Sequence, residues 1–211
     1  MARTPDLERR QELLDRIVDH LAEQGLAQTT LRPLAAALGV SINRLVHHFG
    51  TKEELIATAL RRAVERQTEV EQGWIQRDPA ISMADLYRKW WKWMNAKPEN
   101  LALVRLGYEA AALDTTVTGL PGDLRADQLA VWRRIVEEKL RQEGLPADVA
   151  QREATIQKAM FTGFILDLAA SGDRRRLGGA LEVSLRRLEL FIADQATPGV
   201  VADQRAARSS S

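Results

Sequence analysis

No cysteine occurs in the 211-residue sequence, and only three histidines do. Without cysteine there is no disulfide scaffold, thiol nucleophile, cysteine-ligated zinc or iron–sulfur cluster. Three histidines leave little from which to build a histidine metal site. No apolar run approaches the roughly 18 residues of a membrane span. The start, Met1-Ala2-Arg3-Thr4-Pro5-Asp6, has no apolar leader core. A cytoplasmic protein with no membrane partner and no cofactor is therefore expected. An excess of one charge sign is also missing, since 30 Lys+Arg stand against 29 Asp+Glu for a net charge of +1. As a total, that argues against a nucleic-acid partner, but a total does not say where the charges lie.

What is present is helical periodicity. Leu13, Leu14, Ile17, Val18 and Leu21 repeat on one face. Gly25 stops that helix, because glycine reaches a left-handed C-terminal conformation without steric cost. Thr30 is the expected N-cap of a short helix over about 31–38, with Pro33 in its tolerant first turn. Gly39 and Val40 interrupt it, and Ser41 caps a second short helix over about 42–48. Thr51 and Glu54 form a capping box that opens a long helix to about residue 72. Further helices are expected from Ser82 or Asp85 to Ala96, from Pro98 to Leu113, and over 123–143, 147–171 and 174–195. A loop with Thr115, Thr116, Thr118, Gly119, Pro121 and Gly122 lies among them, and 197–211 reads as a disordered tail. With no alternating strand pattern, the fold class is all-α, about nine helices: a three-helix head and a larger helical bundle.

Residues 24–52 contain no acid at all, yet hold Arg32, Arg44, Lys52, His47 and His48. Absence of negative charge is what approach to a phosphate backbone requires. Two buried short helices would also lack acids, and Leu31, Leu34, Leu38, Leu45 and Phe49 give that reading weight. The pattern inside the window separates the two. Two short helices joined by a glycine turn make a helix-turn-helix. Small Ala35 and Ala36 permit close approach, and Val40 fills the angle. Leu45 and Phe49 point inward on the second helix, leaving Ile42, Asn43, Arg44 and His47 outward. Arg44 suits guanine and Asn43 adenine in a major groove. Ser41 and Thr51 stand at helix starts, where N–H groups and hydroxyls hold phosphate. Lys52 opposes the macrodipole at its helix start, which an anionic partner would relieve.

Residues of about 9–60 resemble the DNA-binding domain of the TetR family of bacterial one-component regulators. The resemblance is carried by the first helix ending in Glu-Gln-Gly, by Thr29 to Ser41, and above all by Leu45-Val46-His47-His48-Phe49-Gly50-Thr51-Lys52-Glu53-Glu54-Leu55. It implies a homodimeric repressor on a double-stranded DNA operator, with a second domain binding a small organic effector. It assigns backbone contacts to Thr30, His48 and Lys52. Arg32 lies where it reaches phosphate or a base edge, and His48 reads equally well as a packing contact. The family's usual phosphate-binding tyrosine is replaced here by Val46. The expected domains are a helix-turn-helix head over 1–51, a connecting helix over 52–72, a ligand-binding and dimerisation domain over 73–196, and the tail over 197–211.

The second domain has no histidine or cysteine, which favours an organic over a transition-metal ligand. Tyr87, Trp90, Trp91 and Met94 share a helix face, with Trp93 off it. Trp74, Tyr108 and Trp132 are candidates to complete an aromatic pocket for an apolar, flat or cationic ligand. Core filling is the plainer fate of such a stripe. Glu109, Asp114, Asn95, Thr162 and Asp167 are its polar candidates. Asp167, in an apolar stretch, reads either as a ligand contact or as a salt bridge to Arg186 or Arg187. Met160, Phe164 and Leu168, with Leu181, Leu185 and Leu188, form stripes expected at a two-fold, four-helix interface, with intramolecular core as the alternative and some of them serving both roles. Two rival readings are an all-α enzyme, which lacks an evident nucleophile–base or metal constellation, and a helical interaction protein without DNA binding.

Overall fold

The computed structural model describes residues 4–26, 29–112 and 122–196. Among the described residues there are nine helices and no strand. They are α1 (Thr4–Gln24), α2 (Leu31–Leu38), α3 (Ile42–Phe49), α4 (Lys52–Arg77), α5 (Met83–Ala96), α6 (Pro98–Ala112), α7 (Gly122–Gln142), α8 (Ala147–Ser171) and α9 (Arg174–Gln195). The all-α expectation holds. The long helix differs from its expected end, since α4 continues through Gly73 to Arg77. One glycine costs a helix only about 1 kcal/mol relative to alanine, less than the burial along α4 returns. Asp114, the loop through Thr115, Thr116, Thr118, Gly119 and Pro121, and the tail over 197–211 fall outside the described residues.

The chain divides into two compact units. The first holds 1–70 and 97–129, the second 71–96 and 130–211, so the division runs through α4 between Val70 and Glu71. In the first unit, Ile17, Val18 and Leu21 of α1, Leu34 of α2, Leu45 of α3, Leu55 and Leu60 of α4, and Leu106 of α6 are fully buried together. Helix α1 packs on α6 and α2, and α2 on α3. Arg62 of α4 reaches Asp15 of α1 at 2.8 Å and Glu69 at 2.7 Å. Those carboxylates hold its guanidinium pKa above the ordinary range, chiefly through the Asp15 hydrogen bond.

Glu109 closes the end of α1 from 83 residues away. Its carboxylate accepts the Leu26 N–H at 2.8 Å, just past Gly25, whose φ of 81° ends the helix. Sequence spacing put Glu109 in a ligand pocket; it is instead engaged with the backbone of the first unit. Tyr108, its neighbour, lies on α6 in that same unit. A hydrogen bond to a charged group is worth about 1.5–3 kcal/mol net. Glu109→Ala should therefore lower the thermal midpoint by several degrees, read by circular dichroism. An unchanged melt would rule the clamp out as a stabilising contact.

In the second unit, α5 packs on α9, and α9 on α8. Arg88 of α5 joins Glu182 of α9 through two hydrogen bonds of 3.0 and 2.9 Å, and also binds Glu189 at 2.8 Å. Four residues expected at a subunit interface are used here instead. Leu168, Leu181 and Leu188 are each 2% exposed and Leu185 is 0%, so they have no surface left to give a partner. An apolar stripe fills its own protomer's core first, and here it does so completely. Met160 and Phe164 remain half-buried. The apolar side chains left outward on α8 and α9 are Ile156, Leu166, Val183 and Leu190.

Candidate nucleic-acid interface

Helix α2 ends at Gly39, whose φ of 66° lets its N–H bond Ala36 O and the Val40 N–H bond Ala35 O. That left-handed cap satisfies the last carbonyls and turns the chain into α3. Arg16 of α1 also donates to Leu38 O at 2.6 Å, holding the turn from below. Thr30 has the extended N-cap backbone expected of it, but its side chain makes no capping bond. Ser41 does cap α3, accepting the Arg44 N–H at 3.1 Å.

Helix α3 is strongly two-sided. Leu45 and Phe49 are buried, while Ile42, Asn43, Arg44, Val46 and His47 are exposed. Arg32 of α2 is exposed too. Arg32, Arg44 and Lys52 form no ion pair among the described residues. His48 is half-buried, with its ring 5.2 Å from His47 and 6.1 Å from Phe49. Its backbone carbonyl accepts Arg10 Nε at 3.2 Å. Arg10 also lies 4.9 Å over the Phe49 ring. Arg10 was not among the residues singled out from sequence, although its place on the first helix three residues before the Leu13 stripe was a usable signal.

The joint into α4 is a reciprocal capping box. The Thr51 N–H donates to Glu54 Oε2 at 2.7 Å, and the Glu54 N–H to Thr51 Oγ1 at 3.2 Å. Thr51 is exposed and Lys52 half-buried at this helix start. Glu53 and Glu54 share the first turn with Lys52 and offset its conflict with the macrodipole.

This arrangement matches a known domain. The model for bacterial regulatory proteins of the tetR family matches residues 13–59. Residues 13–59 are thus a tetR-family segment. The HTH-type transcriptional repressor KstR2 of Rhodococcus jostii (strain RHA1) is 45% identical over 53 residues, which are 25% of this chain and 26% of that protein. The KstR2 of Mycobacterium tuberculosis (strain ATCC 25618 / H37Rv) is 43% identical over an equal length. The match thus spans about a quarter of these curated relatives. A transcriptional regulator from Rhodococcus sp. RHA1 shares the fold at a TM-score of 0.63 and 25% identity, over 84% of this chain and 94% of that one. The multidrug binding protein EbrR, solved with malachite green, shares it at a TM-score of 0.63 and 23% identity, over 86% of this chain and 98% of its own.

The second unit holds an aromatic cluster that differs in membership from the expected one. Trp90 lies 5.7 Å from Trp74, 5.0 Å from Trp93 and 5.6 Å from Trp132, each nearly perpendicular. Tyr87 lies 5.9 Å from Trp132 and 4.8 Å from Phe161. Trp93, expected off the stripe, is in the cluster. Trp91, expected on it, has its indole beside Gly178 of α9. Helix α5 is contacted on two sides, so a single stripe does not describe it. Met94 is buried on α5. Asp167 is outside the cluster, paired with Arg176 at 2.8 Å rather than with a ligand, Arg186 or Arg187. The Arg176 hydrogen bond, with Ser171, lowers its pKa. Thr162 donates to Lys158 O, and the Asn95 amide to Trp91 O.

Glu71 was missed from sequence altogether. It is 4% exposed on α4, one turn before Trp74. The signal was available: Leu60, Ala63, Gln67, Glu71 and Trp74 follow helical spacing on one stripe.

Val46 offers a direct check on the recognition face. It is 45% exposed where the family's tyrosine is expected. Val46→Tyr should tighten binding to an operator about tenfold, the worth of one added hydrogen bond to a phosphate, measured by fluorescence anisotropy. Equal or weaker binding would mean that this position does not face the backbone.

Proposed function

We propose that the chain is a cytoplasmic transcriptional repressor that binds a pseudo-palindromic operator as a homodimer and is released by a small organic ligand. The observation that carries this reading is the outward face of α3, with Asn43, Arg44 and His47 exposed in a 24–52 segment free of acids. Ile42 gives that face an apolar contact. Arg32, Thr30, Ser41, His48, Thr51 and Lys52 are its phosphate-side neighbours. A dimer would set two such helices about 34–36 Å apart, one turn of DNA. The self-complementary surface would be the outward side of α8 and α9, with Ile156, Met160, Phe164, Val183 and Leu190, in place of the leucines consumed by the core.

The ligand would enter the aromatic cluster of the second unit. Trp74, Tyr87, Trp90 and Trp132 fit a flat or bulky organic molecule, and the structural neighbour EbrR was solved with malachite green, a molecule of that kind. Helix α4 carries the message, because its residues up to Val70 belong to one unit and those from Glu71 to the other. A coupling of about 1–3 kcal/mol would weaken operator binding roughly 5–150-fold.

Selection of fragmented genomic DNA by the purified protein tests the reading. Enrichment of one inverted repeat is expected at moderate salt. Retention of all fragments alike, or of none, would refute an operator-binding repressor.

A further inference from the structure

The cluster in the second unit contains a feature that a hydrocarbon pocket does not need. The Glu71 side chain is buried beside Trp90. A carboxylate removed from water must be paired, protonated or matched by a ligand. Its surroundings offer little. The Trp90 indole N–H is the polar group beside it. Lys158 of α8 acts on it only through space, and no ion pair joins them. The burial pushes the Glu71 carboxyl well above the usual carboxylate range, against the smaller opposite pull of Trp90 and Lys158.

Besides Asn95 Oδ1, other polar atoms in the same unit are buried without a partner. One is the Trp132 indole N–H, on a residue 9% exposed whose ring meets Trp90 and Tyr87. Another is Gln157 Oε1, on a residue 5% exposed, one turn before Phe161. Buried polar groups are almost always satisfied, so this concentration around aromatic faces marks a place prepared for something else.

We propose that Glu71, beside the Trp90 that joins Trp74 and Trp132 in one cluster, recognises an organic cation: a quaternary ammonium or protonated amine carrying an apolar or aromatic body. The indole faces supply the attraction of their quadrupoles, and the carboxylate supplies a full countercharge in a place with little water. The Trp132 N–H, on a ring that meets Trp90, orients a polar atom on the body. The inference rests on the ligand reading of this cluster and narrows it to a chemical class. Cation and carboxylate satisfy each other on binding, so an occupied site removes the strain that the empty one carries.

The test uses two molecules of one shape, benzyltrimethylammonium and its uncharged isostere neopentylbenzene. Binding is read from the intrinsic tryptophan fluorescence of the full chain. Wild type should bind the cation at least tenfold more tightly than the isostere. Glu71→Gln should lose the cation at least tenfold and leave the isostere unchanged. Because the glutamine amide needs no buried charge at any pH, it should also melt no lower than wild type, so lost binding will not reflect lost folding. Lys158→Met, which removes the competing ammonium, should tighten the cation and not the isostere. If the isostere binds as well as the cation and Glu71→Gln alters neither, the cluster is a ligand site but the cation inference is wrong. If neither probe perturbs the fluorescence at millimolar concentration, the inference falls together with the ligand reading beneath it.

Discussion

Gly50→Ala should lower the thermal midpoint by about 5–15 °C and take DNA binding with it. Gly50 sits at φ 77° and ψ −137°, a conformation that residues with a Cβ rarely adopt. Holding alanine there costs about 1–3 kcal/mol. A Cβ would also collide with the Glu54 carboxylate. That carboxylate can swing away, but only by releasing the Thr51 N–H and half of the capping box, worth about 0.5–2 kcal/mol. For a chain of this size each kcal/mol moves the midpoint roughly 2–4 °C. The joint also fixes the angle at which α3 leaves the body, so operator affinity should drop beyond what unfolding explains. A Gly50→Ala protein that melts and binds like wild type would show that the strained turn is not needed. Adding Glu54→Ala separates the two costs, since it relieves the collision but not the backbone.

Arg44→Ala carries the other large effect, and on recognition rather than stability. Its side chain is exposed on the first turn of α3, while its backbone N–H is already held by Ser41. Truncation therefore leaves the helix start intact. Loss of a bidentate base contact costs about 1–3 kcal/mol, or roughly 5–150-fold on the cognate operator, and relaxes preference at one base pair. Lys52→Ala should behave differently. It should weaken all sequences about equally and reduce the slope of log affinity against log salt by about one. Anisotropy titrations against the operator and its single-base variants, at several salt concentrations, distinguish the two. Arg44→Ala losing affinity equally on every sequence would move Arg44 from the bases to the backbone.

The parts of the molecule most legible in its sequence are those governed by near neighbours. Ser41 capping α3, the Thr51–Glu54 box and the Gly39 turn each depend on residues three to five apart, and each is found as read. The burial of Leu45 and Phe49 follows from a spacing of four. What escaped depends on distance along the chain. Glu109 looks like a polar group available to a ligand until the Leu26 N–H, 83 residues earlier, is brought beside it. Glu71 looks like any solvated acid until Trp90 covers it. Trp91 and Trp93 exchanged places because the second neighbour of α5 is α9, and one helix's periodicity does not say how many partners surround it. Leu181 and Leu185 have the spacing of an interface and equally that of a core.

The clamp made by Glu109 also bears on how such proteins can be rebuilt. The curated relatives align with this chain over only 53 residues, which invites a chimaera cut just after the recognition helix or partway along α4. The first compact unit does not end there. It takes in residues 97–129, and α6 lies against α1 with a carboxylate on the end of that helix. A transplanted head without its α6 would arrive with Leu26 N–H uncapped and Leu106 missing from its core. The portable module is thus discontinuous: a DNA-reading segment together with a helix that the chain reaches only after building α5 of the other unit.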